Sequence, residues 1–342
     1  MIVFEVDCNS HIGMGHLMRC LAIADNLKKD VLFVTRSIEA REILEEKNYK
    51  VYLSNGVYNN VFLDENIYQL ISKKKKIDLC IVDSYYVNNN FFNSLRKYAK
   101  ILYIDDLNLK KWDVDYLLNN NLSAFYRDYD KLYKKSKTKL FLGPKYLLLR
   151  DEFLKCSPIC IKQKVNNVFI SSGGSDSCKS VLRILNILIE IIELKQIHFH
   201  VLVGRLNQSL YELLELEKKY PFIKIYYNIS YVDKIMKKCD LAISAAGNTL
   251  YELSYLGIPT LTYIIAANQE LGARVFEKQH LIASLGYMDE SFEFRLKEAC
   301  VSLLNDYEKR KYYHNQMYNT MNICKEKRLI TTINTIITGE KL

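Results

Sequence analysis

The chain of 342 residues is 49% hydrophobic and 25% charged, with only four prolines, a composition typical of a packed globular protein rather than a disordered or fibrous one. Its net charge of +9 permits nucleic-acid binding, but the densest basic run, residues 73–76, lacks interleaved aromatic side chains and is interpreted as a solvated helix end. The length predicts two domains of about 150 residues with a ligand cleft between them, so we expect a small-molecule partner and no nucleic acid.

No apolar stretch approaches the ~20 residues that a membrane-spanning helix needs, and the N-terminal run resembles a strand rather than a signal sequence. The nine cysteines are scattered without a CxxC pair, and no His or Cys cluster completes a zinc site beside Cys156 and Cys160. We therefore expect a cytoplasmic protein with reduced cysteines, no membrane span and no bound metal. The sequence leaves the oligomeric state open, with a monomer among the alternatives.

Short apolar runs alternate with amphipathic helical segments through the first half of the chain. This alternation predicts an α/β fold in which helices cover both faces of a parallel sheet. A polar, less regular stretch near residues 153–164 is interpreted as a linker, so the first lobe is predicted to span 1–152. Its predicted strands are 2–6, 31–35, 79–82, 101–104 and 116–119.

The second half repeats this pattern after the linker and predicts a second Rossmann-like lobe over residues 165–290. Both lobes are expected to place a glycine-containing turn after their first strand. Residues 291–342 form a helical segment, rich in Lys, Tyr and Asn, that either caps the second lobe or packs against the first. The predicted strands are 168–170, 198–203, 223–226, 241–244 and 260–263.

The segment 7–16 follows the first predicted strand and opens a helix. Gly13 and Gly15 allow a tight turn and a close approach to a ligand, and the helix N-terminus favours a polar or anionic group. His16 lies in the first helical turn, where the helix dipole favours a neutral imidazole that can accept a proton from water. The turn lacks the third glycine of the dinucleotide fingerprint, so no NAD or FAD cofactor is expected.

Two further small-residue turns follow strands of the second lobe. The segment 171–176 contains Gly173 and Gly174, whose amides could cradle a diphosphate while Asp176 caps the following helix. The segment 244–252 permits two interpretations: Thr249 and Glu252 have the spacing of a capping box, or the amides of 244–248 meet a ligand and Glu252 accepts ribose hydroxyls. Spacing alone leaves both open.

Three smaller polar segments complete the candidates. Residues 83–85, Asp-Ser-Tyr, end a strand of the first lobe, and the pair Asp105 and Asp106 follows the next strand. The paired carboxylates are interpreted either as an acid and base or as caps of their loops. Asn268 and Gln269 are candidates in the second lobe.

Together these segments resemble the UDP-2,4-diacetamido-2,4,6-trideoxy-β-L-altropyranose hydrolases of pseudaminic acid biosynthesis, from residue 1 to roughly 280. Each segment alone is a weak signal, whereas their order and spacing are fairly specific. The matching segments are Asp7, residues 12–16, Arg19-Cys20, residues 83–85, Asp105-Asp106, Gly143 to Phe153, residues 173–176 and residues 244–252.

The resemblance implies a fold similar to the GT-B glycosyltransferases, with UDP in the second lobe and the sugar in the first. It also implies that His16 deprotonates a water that displaces UDP at the anomeric carbon with inversion, that Tyr85 hydrogen-bonds near the reacting centre, and that no metal or cofactor takes part. The implied substrate-binding residues are Asp7, Asn9, Ile12, Gly13, Gly15, Gly173, Gly174, Ser175, Ser244, Ala246, Gly247, Asn248, Glu252, Asn268 and Gln269.

One position departs from this family: Glu5 stands where the family usually has an arginine, which makes a related UDP-sugar an alternative substrate. A glycosyltransferase of the same architecture, resembling predicted spore-coat polysaccharide enzymes, is the alternative function. It would pass the sugar to an acceptor hydroxyl. A third alternative is a UDP-sugar-binding protein without catalysis.

Overall fold

The computed structural model describes residues 1–9, 11–174, 176, 178–191 and 196–340, apart from the side chains of 324 and 325. Contacts divide the chain into two compact units. The first unit comprises Met1–Leu148 and Glu326–Leu342, and the second comprises Leu149–Lys325. The predicted division kept 291–342 as one segment, whereas in the structure this segment is shared between the two units.

The first unit is built on a seven-stranded parallel sheet. Its strands are β1 (Ile2–Val6), β2 (Val31–Thr35), β3 (Lys50–Leu53), β4 (Leu79–Asp83), β5 (Lys100–Ile104), β6 (Tyr116–Asn119) and β7 (Lys139–Leu142). Its helices are α1 (Gly15–Asp25), α2 (Ile38–Glu46), α3 (Glu65–Lys74), α4 (Asn89–Leu95), α5 (Tyr129–Tyr133) and α14 (Arg328–Thr338), with 3-10 turns at Leu122–Tyr126 and Pro144–Tyr146. The strand order is β3-β2-β1-β4-β5-β6-β7.

The C-terminal helix α14 belongs to the first unit because its apolar stripe completes the core there. Leu329, Ile333 and Ile336 recur at helical spacing and are buried in the same cluster as Phe4 and Leu21. Burial of such side chains contributes roughly 1.5–3 kcal/mol each. The hydrophobic effect therefore ties the end of the chain to the sheet formed by its beginning.

The second unit is built on a six-stranded parallel sheet of order β10-β9-β8-β11-β12-β13. Its strands are β8 (Asn167–Ser171), β9 (His198–Val203), β10 (Ile223–Tyr227), β11 (Leu241–Ala245), β12 (Thr260–Ile264) and β13 (Ala283–Tyr287). Its helices are α6 (Asp151–Leu154), α7 (Ser180–Ile189), α8 (Leu210–Lys219), α9 (Val232–Met236), α10 (Thr249–Leu256), α11 (Glu270–Lys278), α12 (Phe292–Asn305) and α13 (Tyr307–Met321), with 3-10 turns at Ala267–Gln269 and Asn322–Glu326.

The predicted fold class is confirmed: both units are parallel α/β sheets with the strand pairing of Rossmann-like lobes. All the predicted strands are present, whereas β3, β7 and β13 were not predicted. Within the described ranges, no helix combines the length and apolarity needed to span a bilayer.

Each sheet has one position at which the chain reverses its direction of winding. In the first unit this position lies between β1 and β4, and in the second between β8 and β11. Ligands of open α/β sheets bind at such positions, beyond the carboxyl ends of the strands. The loops that follow these four strands contain most of the predicted site residues.

Candidate active site

The loop between β1 and α1 is held closed by its own polar groups. The side-chain oxygen of Asn9 accepts hydrogen bonds from the amides of His11 (2.9 Å) and Ile12 (3.0 Å). The Gly13 amide donates to the carbonyl of Asn9 at 2.9 Å, and Gly13 has a φ of 73°, in the left-handed region that favours glycine. Asn9 therefore fixes the loop and places His16 in the first turn of α1.

His16 is paired with a buried carboxylate at the end of β4. Its Nδ1 lies 2.5 Å from Oδ1 of Asp83, whose side chain is fully buried. Burial alone would raise the pKa of Asp83, but Arg19 and His16 outweigh burial and hold that pKa well below its ordinary value. An ionised carboxylate can only accept, so the contact with Asp83 favours the tautomer that has its proton on Nδ1 and its lone pair on Nε2.

Arg19 fixes Asp83 from the same face of α1, three residues beyond His16. Its Nε and Nη2 donate to the two oxygens of Asp83 at 2.5 and 2.7 Å, and its Nη1 donates to Asp106 at 3.0 Å. The side chain of Arg19 is 11% exposed. Burial lowers the pKa of Arg19, but Asp83 and Asp106 raise it well above its ordinary value. We call His16, Asp83, Arg19 and Asp106 the His16 network.

The His16 network has a formal negative charge that a proton on the histidine would cancel. Two carboxylates and one guanidinium sum to −1 with a neutral ring, and a proton on His16 brings the network to zero. Charge interactions of this kind are strong because the groups are largely withdrawn from water. The network can therefore stabilise an imidazolium that forms during a reaction.

A small depression on the first unit lies beside His16. Tyr85 packs edge-on to the His16 ring, with centroids 4.5 Å apart and an interplanar angle of 83°. The depression is lined by Asp7, Ile12, His16, Asp83, Ser84, Tyr85 and Tyr86. The sequence-predicted residues His16, Tyr85, Asp7 and Ile12 are thus brought together here.

Asp7 is bonded mainly to the loop that follows β2. One of its oxygens accepts from Thr35 Oγ1 (3.0 Å) and the Arg36 amide (2.5 Å), and the other accepts from Arg36 Nη1 at 3.2 Å. Its carboxylate is 2% exposed. Asp7 therefore braces the β1 and β2 loops against each other, and its contact with substrate stays a prediction.

Glu5 points into the first unit on the side of α3. Its carboxylate accepts from Tyr68 at 2.9 Å and pairs with Arg36 Nη2 at 3.1 Å. Burial raises the pKa of Glu5, and the guanidinium of Arg36 opposes that effect. The side chain of Glu5 is thus paired inside the protein, next to the opening loop, with an arginine that also bonds to Asp7.

Backbone groups of the glycine turn after β8 make hydrogen bonds within the second unit. The Gly173 amide donates to Ser171 Oγ at 3.1 Å, and the Gly174 carbonyl accepts from the Leu206 amide at 3.2 Å. A Cβ at Gly204 would lie 2.4 Å from the Gly174 oxygen, so only glycine fits this close approach. Ser175 lies outside the described residues.

Asp176, one of the Ser and Asp residues that the sequence allows as a cap, bonds to the first amides of α7. Its Oδ1 accepts from the Ser180 amide at 2.8 Å and its Oδ2 from the Val181 amide at 3.0 Å. A carboxylate of the chain therefore takes the place that an anion would occupy at this helix N-terminus.

The turn between β11 and α10 leaves its helix N-terminus without a side-chain cap. Ser244 is fully buried, and the amides of Ala246 and Gly247 bond to backbone carbonyls at 2.9 and 2.8 Å. Asn248 is the N-cap residue and its side chain makes no cap hydrogen bond. The capping box allowed by the sequence does not form, since the N-cap is Asn248 and not Thr249. In the first turn of α10, the amides of Leu250 and Tyr251 donate to the carbonyls of Gly247 (3.1 Å) and Asn248 (3.0 Å).

Glu252, in the first turn of α10, is paired with Arg150. Arg150 Nε lies 2.8 Å from Glu252 Oε1, and the guanidinium also contacts Glu152 at 3.2 Å and lies over the Phe153 ring. Burial raises the pKa of Glu252, whereas Arg150 opposes this and favours the carboxylate. Arg150 lies in the family-like segment Gly143 to Phe153, but no pattern in the sequence indicates that it pairs with Glu252.

The two remaining predicted residues lie in the 3-10 turn after β12. Gln269 accepts from the Ile265 amide through its side-chain oxygen at 3.0 Å, so it closes the turn. Asn268 is exposed beside it. Across the part of the chain that the structure describes, no three His, Cys, Asp or Glu side chains are grouped as a metal site would require.

Comparison with known proteins gives relatives over most of the chain, although no protein-family model matches. An uncharacterized protein of Methanocaldococcus jannaschii is 31% identical over 275 residues, 76% of this chain and 54% of that protein, so the chain spans about half of it. The spore coat polysaccharide biosynthesis protein SpsG of Bacillus subtilis is 24% identical over 80% of each chain. The UDP-2,4-diacetamido-2,4,6-trideoxy-β-L-altropyranose hydrolase of Campylobacter jejuni is 28% identical over 81% of this chain and 96% of that protein.

Solved structures similar to this chain include several glycosyltransferases. Acinetobacter baumannii MurG has a TM-score of 0.62 at 15% identity, covering 99% of both chains. WaaG, a glycosyltransferase involved in lipopolysaccharide biosynthesis, has a TM-score of 0.53 at 13% identity, covering 99% of this chain and 100% of its own. Anabaena HepE, solved in complex with UDP, has a TM-score of 0.57 at 14% identity, covering 99% of this chain and 98% of its own. The chain therefore has the GT-B fold, and the resemblance predicted from its sequence is confirmed by relatives that carry the hydrolase and spore-coat names.

Proposed function

We propose that this chain hydrolyses UDP-2,4-diacetamido-2,4,6-trideoxy-β-L-altropyranose to UDP and free sugar in the cytoplasm, as a step of pseudaminic acid biosynthesis. The observation that carries the proposal is the pairing of His16 Nδ1 with the buried Asp83, at a depression that His16 and Tyr85 both line. With the Nδ1 proton held by Asp83, Nε2 of His16 is proposed to act as the base. The name of the Campylobacter jejuni relative supports the substrate.

In the proposed reaction, His16 Nε2 removes a proton from a water molecule as the water oxygen bonds to the anomeric carbon. The bond from that carbon to the diphosphate oxygen breaks, and its electron pair leaves with UDP, so the configuration inverts. The His16 network changes from a charge of −1 to zero as the imidazolium forms, which stabilises the transition state. Tyr85, against the His16 ring, is proposed to hydrogen-bond near the reacting centre.

We assign UDP to the second unit. Glu252 is proposed to accept both ribose hydroxyls. Burial raises the pKa of its carboxyl, and the ion pair with Arg150, which contacts one of its oxygens through Nε, opposes that rise. The first turn of α10, after Asn248, suits the negative diphosphate because its N-terminus has no side-chain cap and the helix dipole attracts anions. The reaction requires no metal or cofactor in this proposal.

Glu252→Gln is expected to weaken UDP binding on the order of 10- to 100-fold, since hydrogen bonds to a charged acceptor contribute about 1.5–3 kcal/mol. Isothermal titration calorimetry with UDP measures this change. Glu308→Gln, at an exposed position of α13, is the matched control and should bind UDP normally. An unchanged affinity in Glu252→Gln, with the variant still folded, would remove Glu252 from the nucleotide site.

The direct test of the reaction is incubation of the protein with this UDP-sugar and its epimers in water, without an acceptor. NMR should show UDP and free sugar appearing in equal amounts, and the first-formed sugar should have the opposite anomeric configuration. Absence of free sugar from every epimer would exclude the hydrolase.

A glycosyltransferase is the second candidate function, favoured by the relation to the spore coat polysaccharide protein of Bacillus subtilis over 80% of this chain. It would use the same UDP-sugar site and the same base, but His16 would deprotonate an acceptor hydroxyl instead of water. UDP release that depends on an added acceptor, with no free sugar in its absence, would favour this candidate.

A further inference from the structure

A row of aromatic side chains extends from His16 over the surface of the first unit. The rings of His11 and Tyr58 are nearly parallel, with centroids 6.3 Å apart and an interplanar angle of 9°. Tyr58 meets Tyr86 edge-on at 5.6 Å, and Tyr86 is the chain neighbour of Tyr85, which packs on His16. We call His11, Tyr58 and Tyr86 the aromatic shelf.

The shelf lies at the edge of the sheet where a ligand is expected. His11 follows β1, Tyr58 follows β3 and Tyr86 follows β4, so all three are on loops beyond the carboxyl ends of parallel strands. Tyr86 lines the same depression as His16. The shelf is therefore continuous with the candidate base.

The exposure of the shelf argues against a role in the core. Tyr86 is 42% exposed, and His11 is also exposed, while Tyr58 is half-buried between them. Rings that touch one another on exposed loops add little apolar burial to the unit. A surface cluster of this kind beside a polar site is typical of a ligand contact.

The chemistry of the proposed substrate fits such a surface. Its name specifies two acetamido groups and a deoxygenated C6, so it presents three methyl groups where N-acetylglucosamine has one. Aromatic rings bind methyl and C–H groups through dispersion and burial of apolar area, whereas a hydroxyl group that faces a ring loses contact with water and gains less from the ring face.

We infer that the aromatic shelf is the subsite that recognises the acetamido and C6 methyl groups of the sugar. This inference rests on the proposed function and deepens it, because it gives the first unit a means of selecting a diacetamido-trideoxy sugar over a hydroxyl-rich one. The selection is of the size expected for methyl groups in an apolar site, roughly 10- to 200-fold.

The test measures binding to His16→Ala, which is expected to turn the substrate over on the order of 10²–10⁴-fold more slowly than the wild type. In that background, Tyr58→Ala and Tyr86→Ala should each raise the Kd for UDP-2,4-diacetamido-2,4,6-trideoxy-β-L-altropyranose about tenfold. The Kd for free UDP should stay within about twofold, and Tyr58→Phe and Tyr86→Phe, which keep the rings, should bind the sugar nucleotide normally. Tyr318→Ala, at a position of α13 that is 43% exposed, is the matched control.

Two results would show that the aromatic shelf does not recognise the sugar: an unchanged Kd for the sugar nucleotide in both alanine variants, or an equal rise in the Kd for free UDP. The outcomes separate the shelf from the reaction. If the wild type releases no UDP but the alanine variants still weaken sugar-nucleotide binding, the shelf stands and hydrolysis fails. If the wild type hydrolyses the substrate and the alanine variants bind it normally, the role inferred for the aromatic shelf is wrong and the proposed hydrolysis is not affected.

Discussion

His16→Ala is expected to lose turnover by on the order of 10²–10⁴-fold, the contribution of a positioned general base. Its affinity for the UDP-sugar should change little, because the groups proposed to bind UDP lie in the second unit and the aromatic shelf remains. The loss should therefore appear in kcat rather than in KM. This separation is the signature of a group that acts in the transition state and not in ground-state binding.

UDP release under single-turnover conditions and calorimetric binding together measure the two effects. His198→Ala, at the exposed start of β9, is the control for removal of an imidazole and should keep full activity. Near-normal turnover in His16→Ala would assign the base elsewhere and would remove the central step of the proposed mechanism.

The interior of both sheets could be predicted from the sequence because parallel strands buried on two faces are continuous apolar runs. Ile2–Val6 and Leu241–Ala245 are buried at every position. The missed strands β3, β7 and β13 are edge strands with partly exposed residues, such as Lys50 and Lys139. Their pairing is decided by the neighbouring strand, which a local pattern does not contain.

The position of His16 was predictable because every relevant signal is local: a strand, a glycine turn and a helix start within fifteen residues or so of one another. Its partners were not. Asp83 and Asp106 were candidates only as an end-of-strand residue and a carboxylate pair, and Arg19 only as part of a family-like segment. Arg19 joins them across 64 and 87 residues of sequence. The one local hint was the i, i+3 spacing of His16 and Arg19 on α1.

Several residues that were predicted to contact the ligand also bond to other parts of the protein. One reason explains why the sequence does not show these bonds. A tight turn of small residues looks the same in sequence whether its amides meet a ligand or another loop. Asn9 closes its own loop, Gly174 meets Leu206, and Asp7 meets Arg36. In each case the bonding partner is either far away in the sequence or set by the local backbone conformation, so it can be identified only from the folded structure.

The ion-pair partner of Glu5 also cannot be identified from the sequence alone. In the sequence, the negative Glu5 stands where the family usually has a positive arginine, and this reversal of charge favours a different sugar. In the structure, Arg36, 31 residues away from Glu5, pairs with both Glu5 and Asp7 and offsets one of their two negative charges. Glu5 is 2% exposed, so it acts on the opening loop through Arg36 and is not a surface group that a sugar would meet. The departure therefore weighs less against the proposed substrate than the sequence alone indicates.

Asp83→Asn is expected to damage both activity and stability. An amide can present its NH₂ group to Nδ1 and so favour the tautomer that leaves Nε2 protonated, a change that lowers kcat by about 10⁴-fold in a serine protease with an Asp–His pair. The same substitution leaves the largely buried Arg19 with Asp106 alone. Loss of one partner of a buried ion pair costs about 3–5 kcal/mol.

The pH dependence of stability distinguishes loss of the Asp83 charge from a general disruption of packing in Asp83→Asn. Because its pKa in the folded protein lies below the value of about 3.9 expected when unfolded, its stabilisation is complete above that pH and is lost as the pH falls below it. The gap in free energy of unfolding between wild type and Asp83→Asn should therefore be widest near neutral pH and shrink below about pH 4. Thermal and urea unfolding across this range measure the gap.

Asp30→Asn is the matched control for an aspartate paired with a cation, since Asp30 contacts Lys75 at 2.7 Å with both side chains about half exposed. Exposed pairs contribute little, so this variant should stay near wild type in stability and keep full turnover. Turnover of Asp83→Asn must be measured at a temperature where circular dichroism shows it folded. Wild-type turnover there would mean that His16 does not depend on Asp83 for its tautomer, and a stability gap that persists undiminished at low pH would mean that the carboxylate charge is not what holds Arg19 in place.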